Sequence, residues 1–242
     1  MLSMPQLPTA RPRLLKLSGE ALGSHAETFD MRELARVCRE ILNGLPRAPI
    51  ALVIGGGNIV RGVDLKSGAA DVTRGDYMGM LATLINALAL KDGIERLGGR
   101  CEVVGPHGIP NVCRLYDRAQ VLAWLADGVV VVFGGGTGHP FFTTDTAAAL
   151  RAAEIGADEL LKGSKVDGIY TADPKKVTDA KRFDFLTFDQ AIEGRYGVMD
   201  AAAFALCRDQ HINVRVFDMT AAGMISQALG PNPPGTLVGE LR

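Results

Sequence analysis

The sequence predicts an α/β fold, with a mostly parallel sheet covered by helices on both faces. Two observations carry this. Short β-branched or leucine-rich runs alternate with helical patterns along the chain. Those runs are apolar throughout, which is how a strand reads when both of its faces are buried.

The elements follow in order. Residues 1–12 hold three prolines and neither a basic start nor an apolar stretch, so a short disordered lead is expected there and not a signal peptide. A strand is predicted at 13–17. A helix at 31–45 follows, with Asp30 and Glu33 at capping-box spacing. A strand at 50–54 precedes a long helix at 71–97, which Gly98 and Gly99 are suited to end in a left-handed turn. Next come a strand at 101–104, a helix at 117–126, a strand at 129–133, a helix at 144–155 and a strand at 159–161. Residues 163–188 are mixed and turn-rich, either a loop or a small hairpin packed on the sheet. A helix at 200–211 and a strand at 214–217 complete the pattern. No repeat or linker composition divides residues 13–242, so one domain is expected.

Composition narrows the function. The 26 Lys+Arg and 27 Asp+Glu of this 242-residue chain leave a net charge of −1, which argues against nucleic-acid binding as its main business but leaves room for a local basic pocket. Hydrophobic residues at 47% and charged residues at 22% exclude wholesale disorder. The longest apolar run, 78–90, is broken by Asn86 and falls short of the roughly 18 residues of a membrane helix. Neither nucleic acid nor membrane is expected as a partner. Cys38, Cys101, Cys113 and Cys207 form no CxxC pair and read as free thiols, which suits a cytoplasmic protein. His25, His107, His139 and His211 lack metal-ligand spacing, so no protein-held metal is expected. Trp124 and the phenylalanines suit core positions.

The 29 glycines cluster where strands end. The 50–54 run enters Gly55-Gly56-Gly57-Asn58, the 129–133 run enters Gly134-Gly135-Gly136-Thr137-Gly138, and the 13–17 run enters Ser18-Gly19-Glu20. Ligands of open α/β sheets bind beyond the carboxyl ends of strands. Bare glycine amides there cradle oxyanions. One such turn would read as a tight connection; three, each near a Lys, Arg or Thr, read as a polyphosphate site. Neither GxxxxGK[ST] nor GxGxxG is present, since Val60 and His139 occupy the third glycine positions of the latter.

Charged residues near these turns are the chemical candidates. Lys16 sits in an otherwise apolar strand, where an ammonium is costly unless it meets an anion. Arg61 follows Gly57 closely enough to clamp phosphate oxygens, although a surface helix charge explains it equally. Asp76 could favour a helix dipole or accept from a ribose. Asp145 could cap a helix or act on a ligand. Lys162, Ser164, Lys165 and Asp173 complete the set.

Taken together, Lys16-Leu17-Ser18-Gly19-Glu20, Gly55-Gly56-Gly57-Asn58 with Arg61-Gly62, GDYMGMLAT at 75–83, GGTGHPFFTTD at 135–145 and KVDGIYTADP at 165–174 resemble the bacterial UMP kinases of the amino-acid kinase superfamily. Val198-Met199-Asp200 and Arg215-Val216-Phe217 extend the likeness. The resemblance implies a three-layer αβα sandwich, transfer of the ATP γ-phosphoryl group to UMP, Mg²⁺ held mainly by the nucleotide phosphates, a homohexamer, and GTP and UTP as effectors. By matching motif, Lys16, Leu17, Ser18, Gly19, Gly57 and Arg61 would meet ATP, while Ser164, Tyr170 and Asp173 would hold its adenosine end. Gly56, Asp76, Thr137, Gly138, His139, Pro140, Phe141, Phe142, Thr143 and Thr144 would hold UMP. Lys16, Arg61, Asp145 and Lys162 would carry the chemistry, Lys16 and Arg61 neutralising the transferring phosphoryl group and Asp145 organising the cations.

Two departures stand out. His139 occupies the position of the usual Asn in GTGNPFF, and residues 23–30 lack the glycine richness associated with GTP activation. An acceptor phosphate, with a second pKa near 6, is largely ionised at neutral pH and needs no general base. A carboxylate acceptor is also ionised, so only the resemblance selects UMP over it. A non-catalytic sensor or storage protein is the third possibility, and the retained cations speak against it.

Overall fold

The structure is a computed structural model that describes residues 10–23, 27–60 and 71–240. Residues 1–9 of the expected lead, His25 and Arg61 lie outside the described residues. Among the described residues nine strands form one sheet: β1 (Arg13–Leu17), β2 (Ile50–Ile54), β3 (Cys101–Gly105), β4 (Arg114–Leu115), β5 (Val130–Phe133), β6 (Glu159–Ser164), β7 (Phe185–Thr187), β8 (Asn213–Asp218) and β9 (Thr236–Gly239). Their order is β4-β3-β5-β2-β1-β6-β8-β9-β7, and every pairing is parallel except β8 with β9. The described helices are α1 (Met31–Gly44), α2 (Val72–Arg96), α3 (Arg118–Ala126), α4 (Thr144–Ile155), α5 (Phe188–Gly194), α6 (Ala201–Asp209) and α7 (Met224–Ala228).

Two apolar cores lie on opposite faces of the sheet, which makes the three layers. Leu14 joins the core that contains Ala147, Ala148, Ala149 and Ala152 of α4. Leu15 and Leu17 join the core of α1 and α2, with Val37, Ile41, Ala87 and Leu90. Side chains alternate along a strand, so Lys16 shares the α4 face with Leu14. The small alanines let α4 lie close to that face.

Local signals set several boundaries. The Asp30 side chain accepts from the Arg32 and Glu33 amides at 2.8 and 3.2 Å. Glu33 pairs with Arg36 at 2.9 Å, so only the Asp30 half of the expected capping box is seen. Gly98, at φ 81°, turns the chain out of α2. The α7 helix is held from outside: buried Glu40 accepts from the amides of Gly223, Ile225 and Ser226, and Arg13 donates to the carbonyls of Ala228 and Gly230.

Other features depart from the sequence reading. The short elements β4, β7, β9, α5 and α7 are not anticipated, since two to seven residues carry too little periodicity to stand out. β6 runs on past Leu161, carrying Lys162 into the sheet. Of the two options for residues 163–188, the hairpin is seen: Tyr170 bridges Arg182 antiparallel, and the Phe183 amide donates to the Ile169 carbonyl at 2.8 Å. Not all large aromatics are core residues. Trp124 is half-buried, while Phe141 and Phe142 are 74% and 55% exposed, for a reason that lies in the site.

Candidate active site

The sheet order brings the three glycine turns to one rim, because β5, β2, β1 and β6 are consecutive neighbours. Lys16 and Lys162 are register partners on β1 and β6, so their side chains leave the sheet together on the α4 face. Between them stands Asp145, on the first turn of α4. Lys16 Nζ lies 2.6 Å from Asp145 Oδ1, and Lys162 Nζ donates to the same oxygen. All three side chains are nearly buried, at 8%, 13% and 9% exposure for Lys16, Asp145 and Lys162. Lys16 is therefore no edge-strand lysine in solvent.

The ionisation of the cluster follows from this burial. Burial pushes the Asp145 carboxyl up, but the two ammonium groups outweigh it and hold the group below the ordinary carboxylate range. Burial, and then the charge of Lys16, push Lys162 down to about 7 against the pull of Asp145. Asp145 does not cap α4. Thr143 does, with its hydroxyl accepting from the Asp145 and Thr146 amides at 3.0 and 3.3 Å.

The phosphate-type turns are pinned from α2. Asn86, fully buried, donates to the Gly55 carbonyl at 2.7 Å and exchanges amide hydrogen bonds with Asn58 at 2.7 and 3.1 Å. Thr83 accepts from the Gly135 amide at 2.7 Å and donates to the Met80 carbonyl at 2.7 Å. Sequence reasoning missed both anchors. The available signal was a pair of polar residues three apart, hence on one face, inside an apolar helical run. Gly135, Gly136 and Gly138 have φ of 81°, 58° and 83°, so this turn needs glycine. After β1, Leu17 is buried and the Ser18 side chain accepts from the Glu20 amide at 3.3 Å, starting a tight turn through Gly19. Glu20 pairs with Lys165 at 2.6 Å, linking the ends of β1 and β6.

Two clefts hold most of the remaining candidates. The first, about 160 Å³, is lined by Gly56, Gly57, Asp76, Phe142 and Thr144 together with Gly136 and Thr83. A Cβ on Gly57 would meet no protein atom within 4 Å, so that position has open room beside the turn. Thr137, Gly138, His139, Pro140 and Phe141 form the turn next to it. There the Phe141 amide donates to Asp76 Oδ2 at 2.7 Å, with Phe141 at φ 72°. That strained, outward turn is why Phe141 is not a core residue. Asp76 lies beyond the first turn of α2, so its partner is this loop and not the helix dipole. His139 is exposed. The second cleft, about 390 Å³, collects Tyr170 and Asp173 with Arg195, Tyr196 and Gly197. Tyr170 donates to Asp167 at 2.6 Å, and Asp173 accepts from the Lys175 amide at 3.0 Å. Ser164 ends β6 and lines neither cleft. Arg61 lies outside the described residues, so its place at the rim stays an expectation.

Other chemistries find little support. All four cysteines are buried, and burial pushes Cys38, Cys101 and Cys207 up to about 12. His107, His139 and His211 are all exposed. Among the described residues, no three His, Cys, Asp or Glu side chains form a metal-ligand group, and no helix is long and apolar enough to cross a membrane.

A buried pair of lysines on a carboxylate, on strands whose neighbours end in glycine turns, suits the handling of anions. The amino acid kinase family matches residues 12–218. The chain belongs to this family. Among its relatives, the uridylate kinase of Xanthomonas oryzae pv. oryzae is 49% identical over 227 residues, covering 93% of this chain and 95% of the relative. That of a Bradyrhizobium species is 48% identical over 233 residues, covering 96% and 98%. The crystal structure of UMP kinase from Ureaplasma parvum superposes with a TM-score of 0.91 at 32% identity, covering 96% of this chain and 99% of that one. In this amino acid kinase the mostly parallel sheet and its two helical layers are thus those of solved UMP kinases.

Proposed function

We propose that this chain is a uridylate kinase, which moves the γ-phosphoryl group of ATP to UMP and yields ADP and UDP. The observation that carries the chemistry is the Lys16–Asp145–Lys162 cluster at the strand ends. Donor and acceptor are both anions, and phosphoryl transfer depends mainly on positioning and charge stabilisation. Two held ammonium groups and a rim of amides answer that need. The absence of a general base from the proposed set fits an acceptor phosphate that is already ionised. The choice of UMP rests on the nearly full-length likeness to proteins named uridylate kinase.

We assign Lys16, Leu17, Ser18, Gly19, Gly57 and Arg61 to the ATP phosphates, and Ser164, Tyr170 and Asp173 to the adenosine end. Gly56, Asp76 and residues 137–144 take UMP. Lys16, Lys162 and Arg61 offset the charge on the moving group, and Asp145 holds the lysines in place. Asp145 is already engaged by two ammonium groups, so the donor set fits Mg²⁺ arriving on the ATP phosphates and not on a protein cage. Bound there, the cation would neutralise phosphate charge. The domain proposed for this work is residues 13–242 as one unit, in the cytoplasm. Association of several copies is supported by Tyr77, Met78, Leu81, Ile85 and Leu88, exposed apolar residues at helical spacing on α2, and six copies is the number the family resemblance implies. Regulation by GTP and UTP remains part of the proposal, although residues 24–26 of the atypical 23–30 segment lie outside the described residues.

The deciding experiment measures ADP release from MgATP with UMP, CMP, dTMP, N-acetylglutamate or aspartate as acceptor. Strong preference for UMP is expected. Equal turnover of CMP would defeat the specificity, and preference for a carboxylate would transfer the chain to another branch of the family. No turnover with any of them would favour a sensor or storage role.

A further inference from the structure

Asp200 lines neither cleft, yet its carboxylate gathers donors from two helices. It caps α6 by accepting from the Ala203 amide at 2.8 Å. The remaining contacts go to α4. Thr143 Oγ1 donates to Asp200 Oδ2, and Thr146 Oγ1 lies 3.1 and 3.2 Å from Oδ1 and Oδ2. A hydroxyl has one proton. With that proton turned to Asp200, the lone pairs of Thr143 face the Asp145 and Thr146 amides that the residue caps. The direction of the α4 cap is therefore set from α6. Within that same first turn stands Asp145, with its carboxylate between Lys16 and Lys162.

We propose that Asp200 is a positioning residue for phosphoryl transfer: through Thr143 and Thr146 it fixes the first turn of α4, and with it the Asp145 carboxylate between the two lysines. The inference rests on the kinase reading of that cluster. Capping α6 alone does not call for a carboxylate, since Asn serves as well as Asp at an N-cap. The two threonine hydroxyls do call for one, because both donate and only a carboxylate offers acceptors on both atoms.

This difference supplies the test. Asp200→Asn keeps an acceptor for the Ala203 amide but presents an NH₂ group toward Thr143. At saturating MgATP and UMP, kcat is expected to fall about tenfold to a hundredfold, the scale of a small misplacement at a reacting centre. KM for ATP should stay within about twofold, and the melting temperature within the few degrees that correspond to about 1 kcal/mol. Thr146→Val leaves the α6 cap whole and should lower kcat about threefold or more; combined with Asp200→Asn, the two losses should be less than additive in log kcat. Wild-type kcat in a folded Asp200→Asn protein overturns the inference, as does full additivity. If Asp200→Asn does not fold, Thr146→Val decides alone, and an unchanged kcat overturns it. An inactive wild-type chain would instead sink the kinase reading itself, so the two failures are distinguishable.

Discussion

Replacing Asp145 with Asn would remove the negative charge between two nearly buried ammonium groups. Removing one partner of a buried ion pair costs roughly 3–5 kcal/mol, because the surviving charge is left without compensation. Two surviving charges would press toward the upper end, but Lys162 has an escape. Burial and Lys16 already hold it at about 7 while Asp145 pulls the other way. Without Asp145 its pKa falls further and the group gives up its proton near neutrality, so the cost settles near the lower bound of about 3 kcal/mol. At about 2–4 °C per kcal/mol for a chain of this size, the melting temperature should drop roughly 6–12 °C at pH 8. The pH dependence fixes the mechanism. As pH falls through about 7, folded wild type takes up a proton on Lys162 that the folded variant does not, whereas the unfolded chains bind protons alike. Wild type is then increasingly stabilised relative to the variant, so the gap widens at pH 6 and levels off above pH 7. Thermal unfolding of both proteins at pH 6, 7 and 8 is the assay. A gap at pH 8 that equals or exceeds the gap at pH 6 would refute this account of the cluster.

The lowered Lys162 pKa also predicts a pH–rate profile. If the protonated ammonium is the active form, kcat/KM for MgATP falls as pH rises through about 7, and the limb in kcat lies at higher pH because bound phosphates hold the proton; superimposable limbs in steady-state kinetics would contradict this. Asp76→Ala removes the partner of the Phe141 amide, and KM for UMP should rise about tenfold, the scale of a charged hydrogen bond, with KM for ATP unchanged. Initial-rate measurements with each substrate varied would separate the two. Asn86→Leu leaves the Gly55 carbonyl and buried Asn58 without their partner, and should cost at least about 2 kcal/mol in urea unfolding; a neutral result would mean that the turn after β2 is held some other way.

The sequence showed how the site is built more clearly than how it is joined. Lys16 was legible because a lysine among leucines at a strand end must meet an anion. Lys162 was a candidate too, but its place beside Lys16 was not legible, because the register of β1 against β6 is a long-range pairing that no local pattern encodes. Asp145 left two roles open on sequence, and the structure separates them by giving the cap to Thr143. Asn86 read only as a break in an apolar run; its position opposite Gly55 comes from the packing of α2 on the sheet. Phe141 and Phe142 show the converse error. Aromatic residues default to the core in a composition argument, but a φ of 72° and a bond to Asp76 turn Phe141 outward. The short edge strands β4 and β7 fail for want of length.

The fold also accounts for why a carboxylate must belong to this site. Parallel strands paired in register set equivalent residues about 4.8 Å apart on the same face. For Lys16 and Lys162 that sends two ammonium groups to the same place, where they repel each other when both are protonated. Those two strands cannot supply the remedy, since their other residues on this face are Leu14, Leu160 and Ser164, none of them an anion. The covering layer can, and the first turn of α4 brings Asp145 against both ammonium groups. With Lys162 protonated the cluster holds two cations and one anion; near pH 7 that proton is only partly held, and an arriving phosphate favours it. A phosphoryl group in transfer carries its negative charge on several oxygens and so gains from cations that are already fixed in place. No side chain then has to move as that charge shifts from donor to acceptor, which is the condition under which held charges lower a barrier most.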